Sequence, residues 1–227
     1  MTDRPDWASR KLGIEFSRPE LLEQALTHRS AARNNNERLE FLGDAMLGFS
    51  VASILFETQP DATEGDLSRA RAALVNKRAL ASIGRRIGID DQLKLGAGEI
   101  SSGGAQREST LADAVEAVIG AVLLDAGFDT ADRVVRDLLA ESIRDLPEPA
   151  ALKDAKTRLQ EWLQARGLGL PEYAVDAVAG SDHNQTFEVR CSVPARESTV
   201  AGKGTSRRRA EQAAAEAMLN ELERGDQ

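Results

Sequence analysis

One cysteine, Cys191, in 227 residues leaves no internal disulfide, and within a β-like run it is expected to be a small buried residue. There are two histidines, and no Cys or second His accompanies His28, so a Cys/His zinc site is not expected and His28 reads as a hydrogen-bonded structural residue. No uninterrupted apolar run approaches the roughly 18 residues that span a bilayer. The start Met1-Thr2-Asp3-Arg4-Pro5-Asp6 has no signal-peptide core, so a cytoplasmic protein with no membrane partner is expected. A basic excess is missing too. The formal net charge is −8, which taken alone speaks against a nucleic-acid ligand. The acid is unevenly spread: residues 152–227 hold 11 Lys and Arg against 12 Asp and Glu, leaving 18 against 25 for residues 1–151. Nearly all the excess therefore lies in the first two thirds, where concentrated carboxylates are what a divalent-cation site needs and where a bound cation would reverse the local sign.

At this length, with 41% hydrophobic residues, the chain can bury one good core or two modest ones. The pattern divides it. Residues 1–146 read as helical throughout. A capping box at Ser17-Arg18-Pro19-Glu20 opens a short helix, Asn34 to Asn36 offer N-caps for a helix running toward Pro60, and Thr63-Glu64-Gly65-Asp66 opens another. Ala79 to Ile87 continues helical to a terminator at Gly88, and Gly96 to Gly104 reads as loop. That loop is no phosphate-cradling P-loop, because no Gly-Lys-Ser/Thr follows. Helices from Arg107 to about Gly127 and from Thr130 to Arg144 complete the part. Residues 147–151, with Pro147 and Pro149, form a short stiff linker. Residues 152–227 then run helix, three β-like stretches (173–179, 186–193, 198–202), helix. The expected fold class is an all-α domain followed by a small α+β domain of order α-β-β-β-α.

Two acidic groups stand out. Glu37, Glu40 and Asp44 are spaced i, i+3, i+7, which on a helix turning about 100° per residue puts them on one side, opposite Leu39, Leu42 and Met46. A solvated acidic stripe has the same spacing. Asp113 and Glu116 form a second i, i+3 pair, inside the apolar stretch Leu111 to Leu124, where a carboxylate needs a positive partner. A metal ion or an arginine could supply it. If the two helices pack face to face, Glu40, Asp44, Asp113 and Glu116 converge, and their mutual repulsion raises some pKa values unless a cation is present. An all-oxygen donor set favours Mg²⁺ or Mn²⁺ over zinc.

The string Glu37-Arg38-Leu39-Glu40-Phe41-Leu42-Gly43-Asp44 resembles the signature of the ribonuclease III family. The resemblance continues through Leu26-Thr27-His28, Glu64-Gly65-Asp66-Leu67-Ser68, Arg107-Glu108-Ser109 and Ala112 to Ala117. It implies metal binding by Glu40, Asp44, Asp113 and Glu116, and catalytic roles for Asp44, Glu116, Glu37 and Glu64, the last two at the edge of the site near the RNA. It further implies hydrolysis of double-stranded RNA by a Mg²⁺-activated water, with Mn²⁺ able to substitute, and 5′-phosphate and 3′-hydroxyl ends with a short 3′ overhang. A homodimer is implied, with ribosomal and other structured RNA precursors as typical substrates. Phe41, on the acidic side of its helix, fits a dimer contact or a singly exposed apolar residue equally well.

The C-terminal part resembles a double-stranded RNA-binding domain through Lys156 to Glu161, His183 before Phe187, and Gly202 to Ala214, with Arg207 and Arg208 where many such domains have a lysine pair. A-form RNA hides its base edges, so recognition uses phosphates and 2′-hydroxyls. Gln160, Glu161 and Gln164 share one helical side that could reach a minor groove, and His183 sits in a loop that could reach the next. Ser206, Arg207 and Arg208 at a helix start combine side-chain charge with the positive end of the dipole, a clamp for phosphates of the intervening major groove. Leu159 and Trp162 read as core. Two readings follow, a Mg²⁺-dependent dimeric endoribonuclease and a non-cleaving RNA-binding regulator; retention of all four carboxylates favours the first, because a binder gains nothing from an unpaired acidic cluster.

Overall fold

The computed structural model describes residues 4–181 and 185–225. The chain divides into two compact units, Met1–Pro147 and Glu148–Gln227. The first contains α1 (Arg4–Leu12), α2 (Pro19–Ala25), α3 (Glu37–Thr58), α4 (Glu64–Val75), α5 (Lys77–Ile87), a one-turn α6 (Ala97–Ser101) and α7 (Glu108–Arg144).

Helix α7 is the axis of this unit. Its buried face includes Leu111, Val115, Val118, Ile119 and Val122, against which Leu39, Met46, Leu47, Ile54 and Leu55 of α3 and Leu80, Ile83 and Ile87 of α5 supply the remaining core. Gly127, at φ +80° and ψ 177°, breaks α7 in the positive-φ half of backbone space where a side chain is strained, and the helix resumes beyond it. Among the described residues, α3 is the one helix long and apolar enough to cross a membrane by length and composition, although acids interrupt its first two turns. Its apolar face packs on α7.

Local signals behave unevenly. Thr63 forms a capping box with Asp66, and Gly88 ends α5 in the left-handed conformation at φ +71°. The box expected at Ser17 is absent. Arg18 occupies the N-cap of α2 with no side-chain bond, and the amides of Ser17 and Arg18 instead donate to the Asp125 carboxylate at 2.9 Å each. A carboxylate from another helix thus takes the orphan donors that local chemistry was expected to satisfy. At α3, Asn36 sits at the N-cap without a side-chain bond, while Asn35 Oδ1 accepts the amide of Glu37 at 3.0 Å. The 96–104 stretch, expected as loop, contains α6 and runs into a 3₁₀ turn at Gly104–Gln106.

The second unit has α8 (Ala155–Gln164), an antiparallel sheet in the order β1 (Glu172–Ala179), β2 (Thr186–Val193), β3 (Ser198–Gly204), and α9 (Arg207–Gly225). Its core joins Leu159 and Leu163 of α8, Cys191 and Val193 of β2, and Ala214, Met218 and Leu222 of α9, with Trp162 packed at its margin. Cys191 is buried, as its strand position implied. This is the helix, three-stranded sheet and helix expected from the order of the runs.

Candidate active site

Two glycines decide how closely the acidic helices meet. A Cβ at Gly43 would lie 1.7 Å from the carbonyl oxygen of Glu116, and one at Gly120 would lie 2.2 Å from that of Leu39. Only hydrogen fits at either position, so α3 and α7 cross backbone against backbone. Glu40, one turn before Gly43, and Glu116, one turn before Gly120, are thereby carried into the same space. Glu40, Asp113 and Glu116 each place a carboxylate oxygen within 4.8 Å of the other two.

The electrostatics follow from that crowding. Burial, with the negative charges of Asp44, Glu40 and Asp113 added, pushes the Glu116 carboxyl up to about 7, against an opposing pull from Lys77. Burial also raises Glu40, helped by Asp113, and raises Asp113, where Lys77, His28 and Arg29 pull the other way. Asp44 lies outside the group of three but near enough for its charge to act on both Glu116 and Glu40. Three converging carboxylates with no cationic side chain bonded to them among the described residues, on a scaffold that holds them at this spacing, fit a hard divalent ion with oxygen ligands.

The floor opens into a cleft of about 340 Å³ whose lining includes Glu37, Glu40 and Asp113 from the acidic helices, His28 and Arg29 from the preceding turn, and Glu99 and Arg107 from the facing segment. Glu37 is at the mouth, 3.5 Å from Arg29. Glu64 starts α4 and accepts the Ser68 hydroxyl at 2.8 Å; it is not among the residues lining the cleft. Sequence reasoning gave no role to Lys77, whose charge reaches all three carboxylates, nor to the pair Arg107 and Glu99, joined at 2.8 Å. It also passed over Gly43 and Gly120, whose only sequence sign is a glycine inside an otherwise good helix.

The raised carboxylates carry a stability consequence. Glu116 holds its proton more tightly folded than unfolded, so its contribution to stability is complete below about pH 4.5 and is lost as pH rises through about 7. In EDTA the melting temperature is expected to fall by a few degrees between pH 5.5 and pH 8, and Glu116→Gln should remove most of that fall. Differential scanning fluorimetry across the range checks this; Mg²⁺ should restore the loss at pH 8.

In the second unit, Gln160, Glu161 and Gln164 are all exposed on α8, with Glu161 held by Lys153 at 2.6 Å. Ser206 Oγ accepts the amide of Arg209 at 3.3 Å, and Arg207 and Arg208 project from the first turn of α9. Arg207 is not wholly available for phosphate, since its Nε donates to Glu211 at 2.9 Å while Lys156 approaches the same carboxylate at 2.7 Å. Arg208 is exposed. His183 lies outside the described residues.

Comparison with known proteins matches this division. A family model described as Ribonuclease-III-like matches residues 18–143, and one described as Double-stranded RNA binding motif matches residues 155–222. The chain belongs to the ribonuclease III family. Ribonuclease 3 of Alkalilimnicola ehrlichii is 53% identical over 94% of this chain and 93% of its own length. Ribonuclease 3 of Vibrio cholerae is 50% identical over 99% of this chain and 100% of its own. The solved nuclease domain of the Campylobacter jejuni ribonuclease III, at 41% identity and a TM-score of 0.60, covers 61% of this chain and 98% of that one; its description refers to a region involved in dimer formation. Membership in the ribonuclease III family makes this chain an enzyme and sets aside the binding-only reading.

Proposed function

We propose that the protein hydrolyses phosphodiesters of double-stranded RNA at the Glu40, Asp113 and Glu116 cluster. The observation that carries the reading is the convergence of these three carboxylates at the α3–α7 crossing. They would hold a divalent cation, Mg²⁺ or Mn²⁺, with Asp44 as a fourth acid one helical turn beyond Glu40. A cation bound there supplies Lewis-acid activation of water and neutralises charge on the attacking and leaving oxygens. The chain's own residues do the rest: the glycine crossing fixes the spacing of the acids, Glu37 lines the mouth, Glu64 at the start of α4 stays outside the cleft lining and can meet only RNA that extends beyond it, and Arg29 and Arg107, paired with Glu37 and Glu99, offer phosphate the N–H groups those pairs leave over. The products are 5′-phosphate and 3′-hydroxyl ends.

The working unit is a homodimer. Phe41 is 80% exposed, beside an apolar cleft of about 640 Å³ lined in part by Leu21, Leu42 and Leu124. In a two-fold pair each copy can seat its Phe41 in the other's cleft, since such a contact is self-complementary. Two sites related by that axis each cut one strand and leave a short 3′ overhang. Replacing Phe41 with Glu adds charge to this contact and is expected to weaken the dimer at least tenfold by light scattering; an unchanged dimer at low micromolar concentration would remove Phe41 from the interface.

Duplex binding rests on the second unit, through Gln160, Glu161, Gln164, His183, Ser206, Arg207 and Arg208. Arg207→Ala with Arg208→Ala should lower affinity and reduce the salt slope by at most about two charges, and by nearer one if Glu211 already neutralises Arg207. Filter binding at several salt concentrations measures it. The expected setting is the cytoplasm, on ribosomal and other structured RNA precursors. The decisive assay incubates long duplex RNA with the protein in Mg²⁺ and in EDTA and analyses the ends. Cleavage in Mg²⁺ alone, with 5′-phosphates and short 3′ overhangs, is expected. Equal cleavage in EDTA, or 3′-phosphate ends, would overturn the reading.

A further inference from the structure

One wall of the acidic cleft is built from residues 94–107, and it reaches the site through few attachments. Its first part is zipped to the turn after α2: the amide of Lys94 donates to Leu26 O at 2.8 Å and the amide of His28 donates to Lys94 O at 2.9 Å. The next attachment is made by side chains. The amide of Gly96 donates to Ser30 Oγ at 2.9 Å, and Ser30 Oγ lies 2.8 Å from His28 Nδ1. Ser30's own amide donates to the same Nδ1 at 3.2 Å, which makes that nitrogen the acceptor and directs the Ser30 hydroxyl proton onto it. A directed chain results, from Gly96 N–H to Ser30 O–H to His28 Nδ1. Contact is close enough that a Cβ at Gly96 would lie 2.4 Å from Ser30 O. Beyond this latch the wall presents Glu99 and Arg107 to the cleft, with Arg107 also bonded to Ser102 Oγ at 2.8 Å.

We propose that Ser30 and His28 are positioning residues for the reaction, holding the 94–107 wall so that Arg107 faces the acidic floor. The inference rests on the reading of Glu40, Asp113 and Glu116 as the reaction centre. His28 acts through Ser30, and Ser30 through the Gly96 amide. The far end of the wall has a separate anchor, Gln106 Nε2 donating to Asp90 at 2.8 Å, so release of the latch loosens the wall without detaching it. The effect falls on substrate capture rather than on the chemical step, because the wall orients the Arg107 guanidinium through Glu99 and Ser102, at 2.8 Å each, while the carboxylates stay fixed by α3 and α7.

The test combines hydrogen exchange with kinetics in the full chain. Ser30→Ala and His28→Phe should each speed exchange of the 94–107 amides several-fold, the scale of losing one net hydrogen bond. They should raise KM for duplex RNA about fivefold with kcat within about twofold. Ser30→Thr keeps the hydroxyl, and His28→Asn puts an amide oxygen near the place of Nδ1, so both should restore exchange and KM. Wild-type exchange or wild-type KM in Ser30→Ala overturns the proposal, as does a failure of both conservative variants to rescue. Glu116→Gln serves as the separate control. If it cleaves normally, the reaction centre is misplaced; if it is inactive while Ser30→Ala is indistinguishable from wild type, only the latch is wrong.

Discussion

Glu116→Gln should lower cleavage of duplex RNA at saturating substrate by on the order of a thousandfold, the scale set by losing one strong electrostatic stabiliser of a transition state. The substitution keeps volume and hydrogen-bonding reach but removes a charge that the site concentrates at some cost: burial and three neighbouring acids hold this carboxyl near pH 7. Duplex affinity should stay within about twofold, because Glu116 is not among the residues proposed to grip RNA, most of which lie in the second unit. The variant should also be more stable than the parent in EDTA at pH 8, since it no longer buries a repelled charge. Activity loss together with gained metal-free stability separates a functional acid from a structural one. A Glu116→Gln protein that turns over normally at low Mg²⁺ would show that the cluster is not where the chemistry happens.

Gly43→Ala and Gly120→Ala should each destabilise the first unit by about 3 kcal/mol or more, beyond the usual range for overpacking, because the added methyl meets backbone rather than a side chain that can turn away. The 1.7 Å and 2.2 Å approaches leave no room for adjustment short of separating the helices. Separation would spread Glu40 from Glu116, so whatever fraction folds should bind metal poorly and cleave slowly. Gly48, on the same helix, provides the control. A Cβ there meets nothing within 4 Å, so Gly48→Ala should leave cleavage unchanged and stabilise by roughly 0.5–1 kcal/mol through helix propensity. Urea unfolding of Gly43→Ala and Gly48→Ala distinguishes a packing requirement from a general intolerance of change in α3, and Gly120→Ala tests the same contact from α7.

Much of the scaffold was legible from local physics. Helical periodicity, the Thr63 box, the Gly88 terminator and the α-β-β-β-α order of the second unit all depend on residues near one another in sequence, and all appear in the structure. What local reading missed depends on distant partners. The Ser17 box loses to Asp125, more than a hundred residues away. Glu211 takes Lys156 from another helix as well as its neighbour Arg207. The acids followed the same rule. Spacing alone placed Glu37, Glu40 and Asp44 on one side of a helix and left a solvated stripe open as an alternative; resemblance to the family joined Glu40 and Asp44 to Asp113 and Glu116, and the structure brings Glu40 together with those two. The reason they can meet lies in two glycines that look, in the sequence, like small defects in good helices. Lys77 gave no local sign at all, because its influence on the cluster depends on where α5 begins relative to α7.

Binding of Mn²⁺ followed by electron paramagnetic resonance tests the central claim most directly, since it reads occupancy of the cluster without RNA or turnover. Wild-type protein at pH 8 is expected to take up at least one Mn²⁺ per chain, displaced by excess Mg²⁺, with Glu116→Gln and Asp113→Asn each weakening uptake at least about tenfold and Gly48→Ala leaving it unchanged. Equal uptake by the wild type and both acid variants would place the metal elsewhere and contradict the assignment of Glu40, Asp113 and Glu116.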